Sequence, residues 1–224
     1  MEDLAHNQTP PTTSGIALHD LACDRGGRRV FTGVQADLSP GDALVVRGTN
    51  GSGKSSLLRV LAGYIPAGDG SITWNGINVR DDIGLYQSCL HYVGHLDGVK
   101  PVLSVRENIA LWSLLMGDPM DVDAALAHFG LRKLADLPAK YLSAGQKRRL
   151  NLARLGASRR PLWLLDEPAV SLDAQSVAQL ESLIADHRRA GGIAIVATHN
   201  DLNIEDATLL SLGKQGFESQ ERES

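Results

Sequence analysis

The length, composition and charge of this chain favour one α/β domain and weigh against nucleic-acid binding. It has 224 residues, of which 43% are apolar and 21% charged, and these are ordinary values for a globular protein. The net charge of −4 lacks the basic footprint of a nucleic-acid-binding protein, so we expect no nucleic-acid partner. No apolar run approaches the roughly 20 residues that cross a bilayer, so any membrane role requires a partner.

The N-terminal part of the sequence predicts a tail followed by a small sheet. Residues 1–15 are polar, contain prolines and lack periodicity, so we expect a disordered tail. In residues 16–38, short apolar stretches are interrupted by the turn-like run CDRGGRR, which predicts paired strands. Cys23 and Cys89 are far apart and lack metal-type spacing, which fits a reducing cytoplasmic compartment.

The segment GTNGSGKS fits the P-loop pattern G-x-x-x-x-G-K-S and lies between a predicted strand and a predicted helix. Its glycines permit positive φ, so that successive amides can point at phosphate oxygens. Lys54 adds a charge, Ser55 is a candidate magnesium ligand, and the helix N-terminus favours anions. A Gly-rich turn that holds a lysine by chance is the alternative, and the strand–loop–helix context argues against it. We predict phosphate binding by Gly48, Thr49, Asn50, Gly51, Ser52, Gly53, Lys54, Ser55 and Ser56.

The middle of the chain predicts a hairpin and then helices. Glycines punctuate residues 68–79, where apolar and polar residues alternate, and this pattern predicts a hairpin-like strand. Helical spacing in residues 103–116 and 122–129 predicts two helices, the first opened by Ser104 and the second closed by Gly130. We therefore interpret residues 104–157 as a mainly helical insert.

The last third of the chain predicts alternating strands and helices. The buried strands are expected at residues 162–165 and 193–197, separated by a helix over residues 173–190 that Asp173 caps. Residues 209–212 predict an edge strand, and residues 215–224 a charged tail.

Two acids follow the first of these buried strands. The first is Asp166, which stands where P-loop proteins present a second magnesium ligand, a carboxylate at the end of a buried strand. Glu167 projects to the other side of the strand end and could orient or deprotonate the water that attacks a γ-phosphate, so it is the candidate general base. Solvated acids that merely end a strand are the alternative, which the P-loop disfavours.

The segment LSAGQKRRLNLARL, residues 142–155, resembles the signature motif of ATP-binding cassette (ABC) proteins. The order of P-loop, signature, LLDEP, SLD and a strand ending in histidine is similar to that of their nucleotide-binding subunits over residues 16–213. The resemblance implies an α/β P-loop ATPase core with a mainly parallel sheet, an N-terminal antiparallel β subdomain and a helical signature subdomain. Physically, the signature would form a second anion-binding helix N-terminus.

This resemblance also implies a homodimer that binds two ATP molecules with Mg²⁺ between its subunits. The signature of one subunit would close over the nucleotide on the P-loop of the other, so these residues would act in trans: Leu142, Ser143, Ala144, Gly145 and Gln146. Ser171, Leu172 and Asp173 would form the dimer-crossing loop. His199 would be the switch histidine near the γ-phosphate, although an isolated histidine is more often structural.

The sequence departs from the ABC pattern in two places. Where the family usually has an aromatic residue that stacks on adenine, this chain has Arg25, whose guanidinium could stack on a base. Arg28 or Arg29 could serve equally, or be solvated. The usual glutamine of the coupling loop is missing, and His95 in the segment YVGHLDGVK is either a substitute polar contact or only a loop residue.

The combination of GH-x-DG-x-K, LSAGQKRR and PLWLLDEP resembles the ATP-binding subunits of cytochrome c maturation systems, described as haem exporters. That resemblance implies integral membrane partners at the cytoplasmic face of the bacterial inner membrane, and ATP hydrolysis that releases a haem-loaded chaperone. This chain would act on haem only indirectly, because its seven histidines are dispersed and form no haem ligand set. A transporter of another cargo and a soluble ABC ATPase of iron–sulfur assembly are the alternatives. A chromosome-associated ATPase would need a long heptad insert, which is not seen here.

Overall fold

The structure is a computed structural model that describes residues 14–95, 98–117, 121–157, 160–213 and 218–220. Most of the predicted N-terminal tail lies outside the described residues. Gly15 is held by Asn75, whose backbone N donates to Gly15 O at 2.8 Å and whose side-chain Oδ1 accepts from Gly15 N at 2.8 Å. A fixed residue therefore precedes the expected domain boundary at residue 16.

The described chain alternates strands and helices. In chain order the elements are β1 (Ile16–Arg25), β2 (Arg28–Leu38), β3 (Ala43–Arg47), α1 (Lys54–Leu61), β4 (Asp69–Trp74), β5 (Ile77–Asn78), α2 (Ile83–Ser88), β6 (Leu90–Val93), α3 (Val105–Met116), α4 (Val122–His128), α5 (Ala144–Ala153), β7 (Leu162–Asp166), α6 (Ala174–Arg189), β8 (Ile193–Ala197), β9 (Thr208–Ser211) and β10 (Glu218–Gln220). Three short 3-10 helices lie at Arg132–Leu134, Ala139–Tyr141 and Arg154–Ala157.

Two sheets carry these strands. The first is antiparallel, with the strand order β2-β1-β4-β5, and it contains the predicted paired strands and the predicted hairpin. The second has six strands in the order β10-β9-β3-β8-β7-β6. Its neighbouring strands pair in parallel, except that β10 is antiparallel to β9. The expected α/β class with an N-terminal antiparallel subdomain and a mainly parallel sheet is confirmed.

The central parallel strands β3, β7 and β8 are buried on both faces, which explains why their sequences are continuously apolar rather than alternating. In β7, Leu162 and Leu164 belong to the core shared with α1 and the antiparallel sheet. Trp163 and Leu165, which point to the opposite face, belong to the core shared with the helical segment and α6. One sheet therefore separates two apolar cores and is held rigidly between them.

The helical segment agrees with the predicted insert. Ser104 caps α3 through a capping box with Glu107, and α4 and α5 follow. Asp173 caps α6 as expected, since its Oδ1 accepts a hydrogen bond from Ser176 N at 2.8 Å. Gly130 follows α4 with φ of 65°, the left-handed conformation in which helices commonly end.

The prediction of an edge strand at residues 209–212 is wrong. β9 lies between β3 and β10, because part of the predicted charged tail, Glu218–Gln220, pairs with it in an antiparallel register. The remaining residues of that predicted tail lie outside the described residues. Sequence patterns also gave no assignment for α2 and β6, which the structure places between β5 and α3.

No helix in the described part of the chain combines the length and the apolar character that crossing a bilayer demands.

Candidate active site

Three neighbouring strands of the parallel sheet end at one place. β8 lies between β3 and β7, and all three run in the same direction. The carboxyl ends of parallel strands form the edge at which α/β folds bind ligands. This edge therefore gathers the P-loop after β3, the two acids at the end of β7 and His199 after β8.

Glycines shape the P-loop. Gly48, Gly51 and Gly53 have φ angles of 158°, 81° and 106°, which agrees with the expectation of positive φ in this loop. A Cβ on Gly48 would lie 2.4 Å from Ser52 Oγ and 2.6 Å from Leu212 O, so a larger residue does not fit there. The backbone path of the loop thus depends on the glycines themselves.

Lys54 begins α1 and is buried beside the loop. Its Nζ donates to Gly48 O at 2.7 Å and to Thr49 O at 3.3 Å. The same atom lies 3.9 Å from Glu167 Oε1. The N-cap of α1 is Gly53, which supplies no side-chain cap. An ammonium group and an uncapped helix N-terminus therefore concentrate positive potential at the end of β3, where an anion is favoured.

Ser55 and Asp166 contact each other although 111 positions separate them in the chain. Ser55 Oγ donates to Asp166 Oδ1 at 3.0 Å. Burial raises the pKa of Asp166, and the hydrogen bond from Ser55 opposes this rise. Asp166 Oδ2 is buried and has no hydrogen-bond partner among the described residues. A hydroxyl beside a buried, unpaired carboxylate oxygen suits a hard divalent cation such as Mg²⁺.

Glu167 is fixed from several sides. Its φ is 48°, which is uncommon for a residue with a side chain, and its amide donates to Ala197 O at 2.8 Å. Its Oε2 accepts from His199 N at 3.3 Å and lies 2.8 Å from His199 Nδ1. The Glu167 side chain is 13% exposed and that of His199 is 52% exposed. A carboxylate that can accept a proton is thus held between a histidine and Lys54 at the open edge of the sheet.

A cavity of about 520 Å³ lies over this edge. P-loop residues, Glu167 and His199 line it, together with Val30 of β2 and His95. The structure therefore brings His95 beside the predicted phosphate and magnesium groups. Arg25 and the signature residues are not among the described residues that line this cavity.

The three arginines considered for adenine stacking differ in their surroundings. Arg29 pairs with Asp24 at 2.9 Å and with Asp69 at 2.6 Å. Arg25 lies directly opposite Arg28 at the end of the β1–β2 hairpin, one step from the Asp24–Arg29 pair. Because side chains alternate along a strand, these two pairs project to opposite faces. Arg29 is thus held on the face of the two aspartates, and Arg25 and Arg28 share the other face.

The signature segment forms a helix start with a complete capping box. Ser143 is the N-cap of α5, where its Oγ accepts from Gln146 N at 3.2 Å and its amide donates to Gln146 Oε1 at 2.8 Å. Leu142 is buried, whereas Ser143 and Ala144 are exposed. The expected helix N-terminus is present, but the chain's own serine already satisfies one of its first amides.

The predicted dimer loop lies next to the signature of the same chain. A Cβ on Gly145 would be 2.9 Å from Ser171 O, so the two backbones approach closely. Ser171 has a φ of 66°, and Leu172 packs against the apolar core on the helical side of the sheet. Asp173 then caps α6. The two segments expected to work across a subunit interface are therefore adjacent.

Sequence reasoning missed Arg148, a buried arginine of α5. Its guanidinium donates to four backbone carbonyls, which belong to Gly94 and to the run of Asp166, Glu167 and Pro168. A signal was available in the sequence. In the sequence, Arg148 stands at helical spacing, i, i+4 and i+7, with Leu152 and Leu155, and a charged residue in an apolar pattern of this kind indicates a buried polar contact.

The fold and this site together define a P-loop ATPase of the ABC class. The family model described as ABC transporter matches residues 31–170. The chain belongs to the ABC transporter family, in which it is an ATP-binding subunit that hydrolyses ATP.

Relatives of known name match nearly the whole chain. The "Cytochrome c biogenesis ATP-binding export protein CcmA" of Paramagnetospirillum magneticum is 52% identical over 204 residues, which are 89% of this chain and 94% of the relative. The protein of the same name from Rhodospirillum rubrum is 50% identical over 211 residues, 91% of each chain. The resemblance to cytochrome c maturation subunits, expected from the motifs, is confirmed.

Solved structures agree with the fold. One titled "Structure of ATP binding subunit of ABC transporter" has a TM-score of 0.78 at 20% identity and covers 89% of this chain and 86% of that chain. A putative ABC transporter ATP-binding protein from Pyrococcus furiosus has a TM-score of 0.77 at 21% identity, covering 88% of this chain and 96% of that chain.

Proposed function

We propose that this chain is the ATP-hydrolysing subunit of a cytochrome c biogenesis exporter, the haem exporter, whose membrane subunits it drives. The observation that carries the proposal is the 52% identity to a relative of that printed name, spread over 89% of this chain rather than confined to the ATPase motifs. An ABC ATPase serving another cargo, or iron–sulfur assembly, gains no support from these relatives. Residues 16–214 would act as the nucleotide-binding domain.

The proposed chemistry is attack of water on the γ-phosphate of ATP. Glu167 would accept the proton of the attacking water, because its carboxylate lines the cavity and is held by His199 at 2.8 Å. His199, which is half exposed, would contact the γ-phosphate and report its presence to Glu167. Lys54 and the amides from Gly48 to Ser56 would hold the phosphates.

Ser55 and Asp166 would hold Mg²⁺, as the unpaired buried oxygen Oδ2 of Asp166 suggests. A bound Mg²⁺ neutralises charge on the phosphate oxygens. His95, which lines the same cavity, would take the place of the missing glutamine in the coupling loop. Arg25, with Arg28 opposite it, would flank the adenine, since Arg29 is already paired with two aspartates.

A homodimer would complete the site. The signature residues do not line the cavity of their own chain in the described residues, so they would serve the nucleotide of a second copy. Ser143 is exposed and its hydroxyl, although it accepts a bond from Gln146 N, keeps its own proton to donate to a phosphate. Ser171, Leu172 and Asp173 would cross the interface beside it.

The cellular setting follows from the proposed partners. The chain would lie peripherally at the cytoplasmic face of the bacterial inner membrane, bound to integral membrane subunits. ATP hydrolysis would drive the release of a haem-loaded chaperone, and haem would not contact this chain directly.

The test is purification of the tagged chain from detergent-solubilised membranes of its host, followed by identification of the partners. We expect integral membrane subunits and a haem-carrying protein that elutes when Mg²⁺ and ATP are added. Glu167→Gln serves as the matched control, because it should retain the haem protein in the presence of ATP. Co-purification with soluble iron–sulfur scaffold proteins alone would contradict the proposal.

A further inference from the structure

The turn that carries the two acids is held by a residue outside it. Three successive carbonyls, those of Asp166, Glu167 and Pro168, accept hydrogen bonds from Arg148 at 3.2, 2.7 and 3.1 Å. Consecutive peptide groups in a strand point in alternate directions, so their convergence on one guanidinium requires a turn. The φ of 48° at Glu167 supplies that turn. The backbone strain at Glu167 and the contacts of Arg148 are therefore two parts of one arrangement.

Arg148 also reaches a second segment of the site. Its Nη1 donates to Gly94 O at 3.1 Å, directly before His95, which lines the cavity. The guanidinium is planar and always charged, with donors spread in a fixed fork, so it can bind several carbonyls in one defined geometry. Lysine has a single ammonium group and cannot reproduce that geometry.

The location of Arg148 ties these contacts to the signature. Arg148 lies in the second turn of α5, the helix that Ser143 caps, and is 4% exposed. A displacement of the helix start would move the guanidinium, because an α-helix is a rigid element and α5 packs into the core on the helical side of the sheet. The same guanidinium would then move the carbonyls of the acid turn.

We propose that Arg148 is a positioning residue for ATP hydrolysis, which fixes the Glu167 peptide and couples it to the signature helix. This rests on the proposed role of Glu167 as general base. Arg148 does not touch nucleotide. It holds the main chain so that the Glu167 carboxylate stays between His199 and Lys54.

The test compares Arg148→Gln, Arg148→Lys and wild type as full chains, in the preparation in which the wild type hydrolyses ATP. We expect kcat to fall roughly 10- to 100-fold in Arg148→Gln, because a misplaced catalytic group costs about that much. Affinity for a non-hydrolysable ATP analogue, measured by calorimetry, should change less than about twofold. Arg148→Lys should recover part of the lost rate. Arg106→Gln, which removes a surface arginine paired with Asp123, is the matched control.

A double variant separates positioning from a general structural role. If Arg148 acts through Glu167, adding Arg148→Gln to Glu167→Gln should lower the residual turnover less than about threefold. Multiplication of the two single effects would overturn the proposal, and so would an Arg148→Gln protein with wild-type kcat. Should Arg148→Gln fail to fold, as judged by circular dichroism, Arg148→Lys decides the question: wild-type kcat in that variant also overturns the proposal.

Turnover of the two single variants distinguishes failure of the proposed general base, Glu167, from failure of the proposed role of Arg148. Wild-type turnover in Glu167→Gln would remove the general base and with it the proposed mechanism. Slow turnover in Glu167→Gln together with normal turnover in Arg148→Gln would remove only the role of Arg148.

Discussion

Two helix N-termini, that of α1 in one copy of the chain and that of α5 in a second copy, are expected to bind the same triphosphate, and they are built differently. α1 begins after a glycine N-cap without a side-chain cap, and a buried lysine is its first residue. α5 begins after Ser143, which forms a complete capping box with Gln146. The N-terminal amides of α1 are therefore left for a ligand, whereas one N-terminal amide of α5, that of Gln146, is already bound by Ser143.

This difference assigns unequal tasks to the two ends. The start of α1 has a positive charge, an uncapped helix dipole and a cavity, so it should bind nucleotide without help. The first residue of α5 is an alanine rather than a lysine, with Lys147 only fourth, and the start of α5 has no share in the described lining of that cavity. It should therefore contribute to turnover and assembly far more than to the affinity for ATP.

The largest effect should come from Glu167→Gln, because Glu167 is proposed to act at the γ-phosphate that both helix starts would bind. Turnover should fall on the order of 100-fold or more, because the amide cannot accept the proton of water, while the affinity for ATP persists. Steady-state hydrolysis and calorimetric binding measure the two quantities. Glu205→Gln, an exposed acid distant from the P-loop in sequence, is the control. Unchanged hydrolysis would exclude the role of Glu167.

Lys54→Ala tests the α1 side of the comparison directly. Removal of a charge-assisted contact to phosphate should weaken ATP binding roughly 10- to 100-fold. Calorimetric titration with a non-hydrolysable analogue measures the change, with the exposed Lys133→Ala as the control for loss of a lysine. Wild-type affinity in Lys54→Ala would count against the P-loop assignment.

Gly53→Ala tests whether the uncapped start of α1 depends on its glycine. The φ of 106° is unfavourable for alanine, and the added Cβ would lie 2.7 Å from Val30 Cγ1. We expect a loss of about 2 kcal/mol in the free energy of unfolding, measured with urea. Gly51→Ala is the matched control, because φ there is 81° but nothing lies within 4 Å of its Cβ. Equal losses in both variants would mean that backbone strain alone, without the Val30 contact, accounts for the effect.

Ser143→Ala tests the α5 side and should have the smallest effect. Loss of the N-cap should cost about 1 kcal/mol of stability. Loss of the hydroxyl should lower turnover roughly 10-fold, as for one contact to the transferred phosphate, with no change in the affinity for ATP at the P-loop. Ser104→Ala, which removes an equivalent capping box from α3, is the control and should lose stability only. A fall in ATP affinity in Ser143→Ala would contradict the claim that α1 alone determines the affinity for ATP.

Much of this architecture could be predicted because local signals agreed with the fold. The apolar runs of β3, β7 and β8 have one interpretation, since strands buried on both faces must be apolar throughout. Capping residues such as Ser104 and Asp173 fixed helix starts to within a residue. The motif order placed the P-loop and the acids at strand ends, and the parallel topology then brought them to one edge.

The remainder depended on contacts between distant parts of the chain. β9 is not an edge, because Glu218–Gln220 pairs with it, and a short polar segment carries no local signal for such pairing. α2 and β6 were too short for periodicity to reveal. The pairing of Arg29 with Asp24 and Asp69 needed the β1–β2 and β1–β4 registers. The convergence of Arg148 on three carbonyls needed the positive φ at Glu167, which no composition rule predicts.

The central claim is that the start of α5 serves the nucleotide of a second copy of the chain. Analytical ultracentrifugation of Glu167→Gln with Mg²⁺ and ATP tests it most directly, because slow hydrolysis should trap the assembled state. We predict a species of twice the mass of the chain, which reverts to monomer without nucleotide and whose dissociation constant rises roughly 10-fold in the double variant Glu167→Gln, Ser143→Ala. A monomer under every condition, or a dimer that forms equally well without ATP and without Ser143, would contradict the claim.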